Sequence, residues 1–179
     1  LGWMGRLHTR SYKAVAEYFP ELGVEVELVA AADPIDSVRE EATGKLGFKR
    51  AYADYHELLA DPEVDIVSIA SPNFLHKEIA LAAIAAGKPF WIEKPMGVSA
   101  EQSREIAQAA EKAGLVSAVG FNYRHTPAIE YMRTLVREGK LGRLTNVRVW
   151  FIADYNSSPL SPLPGALARK RLAPGSCPT

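Results

Sequence analysis

The chain has 179 residues, 47% of them hydrophobic, and 21 basic side chains balance 21 acidic ones. That size suits one globular domain with the start of a second, and zero formal charge removes any electrostatic case for nucleic acid or an anionic membrane. The single cysteine, Cys177, excludes an internal disulfide framework, no apolar run approaches the roughly 20 residues of a membrane span, and the four histidines lack metal-site spacing.

These bounds describe a cytoplasmic protein with no metal. The chain opens on Leu1-Gly2-Trp3-Met4-Gly5, followed by a helical pattern from Arg6 to Phe19 whose apolar face carries Ala14, Val15 and Tyr18. Gly2 and Gly5 match the last two glycines of G-x-G-x-x-G. That turn brings backbone N–H groups and a helix N-terminus to a pyrophosphate, with Trp3 and Met4 inside it. His8, on the same helix, is expected to pack or to hydrogen-bond locally.

Residues 26–32 form a β-type run that stops at Asp33-Pro34. An acid at that strand tip is placed to bind ribose hydroxyls, and it can also cap the next helix. No arginine directly follows Asp33, so NAD is preferred to NADP. Further on, the pattern predicts a helix over 35–46, a short strand over 50–53 and a short helix over 55–60. Residues 64–70 are a mostly apolar run of the kind buried on both faces of a parallel sheet, ending in Ser71-Pro72-Asn73. A helix over 75–86 stops at Gly87.

Phe90-Trp91-Ile92 reads as the next strand, ending abruptly in Glu93-Lys94-Pro95. A lysine at a strand end can hydrogen-bond a substrate oxygen and assist proton transfer. Pro95 allows a cis peptide there, although trans is commoner. A helix over 100–113 has Ser99 and Gln102 at capping-box spacing. A strand over 116–121 leads into Asn122-Tyr123-Arg124-His125, and a helix begins at Thr126-Pro127. The alternation of Val147, Val149 and Phe151 predicts a long strand over 146–154 and entry to a second domain.

Strands alternating with helices define an α/β doubly wound parallel sheet, a Rossmann arrangement. In such a sheet the carboxyl ends of the strands face one edge. Asp33, Ser71-Pro72-Asn73, Glu93-Lys94-Pro95 and Asn122–His125 therefore converge on one crevice beside the glycine turn. This combination resembles the glucose-fructose oxidoreductase/inositol dehydrogenase/rhizopine-catabolism (Gfo/Idh/MocA) family. The features that carry the resemblance are Gly2–Gly5 with His8, Ala32-Asp33-Pro34, Ser71-Pro72-Asn73 with His76, Ala86-Gly87-Lys88-Pro89 leading to Glu93-Lys94-Pro95, and Asn122-Tyr123-Arg124.

The resemblance implies hydride transfer between nicotinamide and a hydroxyl-bearing carbon of a sugar or cyclitol, in a protein that forms a homo-oligomer at full length. It implies that Lys94 contacts the reacting hydroxyl. Ser71, Pro72, Asn73 and His76 would line the nicotinamide half of the cofactor, and Glu93 would help position its ribose. Tyr123 and Arg124 would border nicotinamide and substrate, and His125 would be in reach of substrate.

The expected domains are a nucleotide-binding domain over 1–125, a connecting helix and first strand of an α+β substrate domain over 126–160, and an aberrant or disordered tail over 161–179. Two family features are missing from this sequence: the first strand with its first glycine, and the D-x-G-x-H motif whose histidine is the general base. The first strand is central in such sheets, so its neighbours are expected to show unpaired backbone. The polypeptide as written is accordingly expected to be inactive. A slip of reading frame near residue 163 accounts for the tail. A reading that starts on the third base of the Pro164 codon permits W-R-F-G-A-E-T-A-G-S-G-V-L-P-D, close to the family's run towards D-x-G-x-H. Two rival readings share the fold: a non-catalytic nucleotide-binding sensor, and an enzyme resembling biliverdin reductase or dihydrodiol dehydrogenase.

Overall fold

The computed structural model describes residues 1–152. The expected tail over 161–179, and the proposed frame slip within it, lie outside the described residues. The chain divides into two units, Leu1–Gly120 and Phe121–Thr179.

The first unit alternates helices and strands. In chain order these are α1 (Trp3–Tyr18), β1 (Ala30–Ala32), α2 (Asp36–Glu41), β2 (Arg50–Tyr52), α3 (Tyr55–Ala60), β3 (Val67–Ile69), α4 (His76–Ala85), β4 (Phe90–Ile92), α5 (Ala100–Lys112) and β5 (Ser117–Val119). All pairings are parallel, and they form two sheets, β1-β2 and β3-β4-β5. A cavity of ≈ 1700 Å³ is lined by both β1 and β3, and no ladder joins these two strands. This is where the sequence predicts unpaired neighbours of a central strand.

The three-stranded sheet is organised by the two-residue period of its strands. Val67, Ile69, Phe90 and Ile92 point to one face and form a buried cluster with Ile79, Ala80 and Ala83 of α4 and Ile106 and Ala110 of α5. The paired residues Ser68 and Trp91 point to the other face, where His8 of α1 meets both. Helix ends follow local chemistry. Ser99 accepts the Gln102 N–H at 3.3 Å and starts α5, and Asp54 accepts the His56 N–H at 2.9 Å and starts α3.

The strands are shorter than the apolar runs that predict them. Of the run over 26–32 only Ala30–Ala32 is strand. Within the sheet, β1 has a partner on one side only, and Val26 is exposed. Of the long strand expected over 146–154, the described residues 146–152 form no strand and pair with no described strand, and Val147, Val149, Trp150, Phe151 and Ile152 are exposed. Alternation gives a chain two faces, but a strand also needs a ladder partner for its backbone. In the second unit, residues 122–125 form a 3₁₀ turn and α6 spans Pro127–Arg137 with Pro127 in its first turn. No helix among the described residues is long and apolar enough to cross a membrane.

The amino ends of the strands in the first unit carry an ionic network. Asp61, after α3, accepts the Glu63 N–H at 3.0 Å and the Tyr52 hydroxyl at 3.1 Å, and its carboxylate lies 3.0 Å from Arg50 Nε. The Glu63 N–H first, then Tyr52 and Arg50, hold the Asp61 carboxyl below the ordinary carboxylate range. Arg50 lowers Glu63 in the same sense. Lys88, two residues before β4, donates to the carbonyls of Asp61 and Val64 at 2.8 and 2.6 Å.

Candidate active site

The opposite, carboxyl-end edge of the strands is where the candidate residues of the first unit collect. Gly2 is the N-cap of α1 and offers no side chain, and the first turn of the helix holds no acidic residue. The N–H groups of that turn are therefore free of a capping side chain. A Cβ on Gly2 would meet nothing within 4 Å, so the backbone is open to close approach, whereas one on Gly5 would meet Leu1 Cδ2 at 3.0 Å. Asp33 follows β1 directly. Its carboxylate accepts the Ile35 N–H at 3.0 Å.

The large cavity is lined at this edge by Gly2, Trp3, Met4, Gly5, Asp33 and Pro34, and by Ser71 and Pro72 after β3. These groups fit a dinucleotide: N–H donors for phosphate oxygens, an acceptor for ribose hydroxyls, and an apolar wall. Sequence reading overlooked Arg39. It donates to the Asp33 carbonyl at 2.7 Å and pairs with the Asp36 carboxylate, so its charge is already matched.

Lys94 follows β4, and the Lys94–Pro95 peptide is cis. Its side chain is exposed, and among the described residues its ammonium has no ion pair or hydrogen bond. A group so placed is available to a ligand oxygen.

Two residues have surroundings unlike those expected of them. His76 is 1% exposed, and its ring nitrogens lie 2.8 Å from the Pro95 carbonyl oxygen and 3.0 Å from that of Ser71. Carbonyls only accept, so the imidazole donates to at least one of them. The expectation that the His76 side chain lines the cofactor does not match this burial. The ring instead ties the loop after β3 to the loop after β4. Glu93, read as a ribose partner, is also buried. Its Oε1 lies 2.9 Å from His8 Nε2 and its Oε2 accepts the Lys94 N–H at 3.2 Å. A Cβ on Gly120 would come within 3.0 Å of Glu93 Oε1, so the absence of a side chain there leaves room for the carboxylate.

Asn73 opens a 3₁₀ turn that runs into α4 and does not line the cavity. Tyr123, Arg124 and His125 belong to the second unit. Tyr123 packs edge-on against Phe151 at 5.7 Å between ring centroids, His125 Nδ1 lies 3.7 Å from Glu130, and Arg124 is exposed.

Sequence reading left Ser68 unmarked and gave His8 only local packing or hydrogen bonding. His8 Nδ1 lies 2.6 Å from Ser68 Oγ, and its ring sits 5.1 Å from Trp91. The signal was present: Ser68 is a hydroxyl in the middle of an apolar strand, and a buried polar group needs a partner.

A parallel sheet with an uncapped glycine turn and an acid at the next strand tip defines a dinucleotide-binding α/β domain. A family pattern described as an oxidoreductase family with an NAD-binding Rossmann fold matches residues 1–121, and the chain belongs to this Gfo/Idh/MocA family. It is 36% identical over 165 residues to levoglucosan dehydrogenase of Pseudarthrobacter phenanthrenivorans, covering 90% of this chain and 42% of that protein. It is 33% identical over 153 residues to trans-1,2-dihydrobenzene-1,2-diol dehydrogenase of Mus musculus, covering 86% of this chain and 45% of that protein. Among solved structures, levoglucosan dehydrogenase in complex with NADH and levoglucosan superposes with a TM-score of 0.76 at 34% identity, over 79% of this chain and 38% of that one. The chain thus spans less than half the length of these relatives.

Proposed function

We propose that the protein is an NAD-dependent dehydrogenase that oxidises a secondary hydroxyl of a sugar or cyclitol, or carries out the reverse reduction. The observation that carries this reading is the Lys94 ammonium at the end of β4, unpartnered among the described residues, on the edge that also holds the uncapped Gly2–Gly5 turn and Asp33. Bound NAD supplies the hydride acceptor. The first turn of α1 would hold its phosphates by backbone N–H groups, and Asp33 would accept from a ribose hydroxyl. Ser71 and Pro72 would shape the wall that excludes water. Lys94 would hydrogen-bond the substrate oxygen and favour its alkoxide-like form, the hydroxyl proton passing to a general base, which the resemblance assigns to the D-x-G-x-H histidine, and loss of the carbinol hydride becomes easier.

NAD is favoured over NADP because a 2′-phosphate would meet the Asp33 carboxylate, and the nearby Arg39 is already committed to Asp33 and Asp36. The sugar class is supported by the relative named for levoglucosan, and we extend it to cyclitols on the family resemblance. The division into a nucleotide domain over 1–125 and a substrate domain from 126 onward belongs to the same proposal. So does the placing of Tyr123, Arg124 and His125 at nicotinamide and substrate. We also place the protein in the cytoplasm, on its composition, and take the full-length form to be a homo-oligomer, on the resemblance.

The test is a panel of anhydrosugars, aldoses and inositols, with NAD and NADP compared, assayed on the full-length gene product. NAD-linked turnover of one panel class, with NADP at least tenfold less effective, is expected. Saturable NADH binding with no turnover across the panel would replace this reading with that of a nucleotide-binding sensor.

A further inference from the structure

We infer that His8 is a positioning residue for Lys94, acting through the Glu93 carboxylate. The inference rests on the reading of Lys94 as the group that meets the substrate hydroxyl.

Three elements meet at His8, all within the first unit. The ring is carried by α1, one turn beyond Gly5, and is 7% exposed. Its Nε2 lies 2.9 Å from Glu93 Oε1, a contact between residues 85 apart in sequence. Its Nδ1 lies 2.6 Å from Ser68 Oγ on β3, and its face lies against Trp91 on β4. Glu93 is an acceptor, so Nε2 carries a proton and donates, and Ser68 can then donate its hydroxyl to Nδ1. All the polar groups of the triplet are satisfied by this single arrangement.

The other oxygen of Glu93 accepts the backbone N–H of Lys94 at 3.2 Å. The carboxylate therefore spans from α1 to the first residue past β4. Rotating it would break the bond that fixes the backbone carrying the lysine. Gly120 closes the other side, where even a Cβ would come within 3.0 Å of Glu93 Oε1 and of Trp91 Nε1. Glu93 has one well-defined place, and His8 holds it there. Because His8 and the Gly2–Gly5 turn lie on one helix, this clamp also fixes the distance between the phosphate-binding end and the lysine. Misplacement of a reacting group by an ångström costs on the order of a hundredfold in rate. The clamp thus has an effect on catalysis without touching substrate.

The Ser68–His8–Glu93 order resembles a nucleophile, base and acid in sequence. Ser68 is the middle residue of β3, however, and not on a strand-to-helix turn that would present its hydroxyl as a nucleophile. Positioning accounts for the geometry, and hydrolysis does not.

The experiment is a double-mutant cycle in the full-length gene product: parent, His8→Ala, Lys94→Ala and the double variant. Each is measured for kcat, KM, NADH affinity and Tm. His8→Ala is expected to lower kcat tenfold to a hundredfold and to change NADH affinity less than tenfold. The same substitution in the Lys94→Ala background should change kcat less than twofold, because the lysine it positions is gone. His8→Gln keeps an N–H donor of similar reach and should recover most of the loss. Should His8→Ala fail to fold, Glu93→Gln tests the same link, with the same non-additivity expected. Equal losses with and without Lys94, alongside a strong effect of Lys94→Ala alone, would overturn the clamp and leave the lysine reading standing. No effect of Lys94→Ala would overturn both.

Discussion

The two ends of the strands in the first unit use charged groups in opposite ways. At the amino edge Arg50, Asp61, Glu63 and Lys88 neutralise one another or cap carbonyls, and each charge has its partner within the protein. At the carboxyl edge Lys94 has no partner among the described residues and the first turn of α1 has no cap, while Asp33, Arg39 and the buried Glu93 are held by neighbours. The difference teaches where to look for chemistry. Charges satisfied internally serve the fold, whereas donors and cations left open at a shaped edge are available to a ligand.

Substitutions should separate the two edges. Lys94→Ala is expected to lower turnover by about 10²–10⁴-fold, the usual worth of acid–base assistance, with Tm unchanged within a degree or two. Steady-state kinetics beside a thermal melt checks this. Asp33→Ala removes a charged acceptor worth about 1.5–3 kcal/mol, so NADH should bind roughly ten- to a hundredfold more weakly, again with little change in Tm. At the amino edge the pattern should invert. Lys88→Met loses two charged hydrogen bonds to the Asp61 and Val64 carbonyls. It should cost about 1.5–3 kcal/mol of stability by denaturant titration, with kcat and NADH affinity as in the parent.

The smallest expected effect concerns pH. Asp61 and Glu63 are held below the ordinary carboxylate range, by the Glu63 N–H first and by Arg50 first, respectively. The unfolded chain therefore takes up protons at higher pH than the folded one. The stability they contribute is present above the ordinary carboxylate range and is lost as pH falls through their lowered folded values. Asp61→Asn should flatten that acid slope in melts taken from neutral pH downward. An unchanged slope would mean that the network contributes nothing to acid stability.

The fold was legible because its signals are local and repeated. Apolar runs, glycine stops and the Ser99 cap each name an element, and α3, α4 and α5 fall within a residue of the expected bounds. What failed was strand length, as at 26–32, and the strand over 146–154. Both depend on a partner strand, which no local pattern reports. Asp33, Ser71 and Lys94 stand just beyond strands, where the sequence pattern placed them. The candidate site was not legible where a side chain works across the chain. The sequence of α1 gives no sign that His8 reaches Glu93, 85 residues on, and His76 reads as an open polar group although its ring is enclosed between the Ser71 and Pro95 carbonyls. Burial and pairing in three dimensions decide such cases.

The contrast between the edges is tested most directly by equilibrium titration of NADH against the parent, Asp33→Ala and Lys88→Met forms of the full-length protein. Saturable binding of equal strength is predicted for the parent and Lys88→Met, and binding at least tenfold weaker for Asp33→Ala. Equal binding by all three, or a loss confined to Lys88→Met, would contradict the placement of the cofactor at the carboxyl edge.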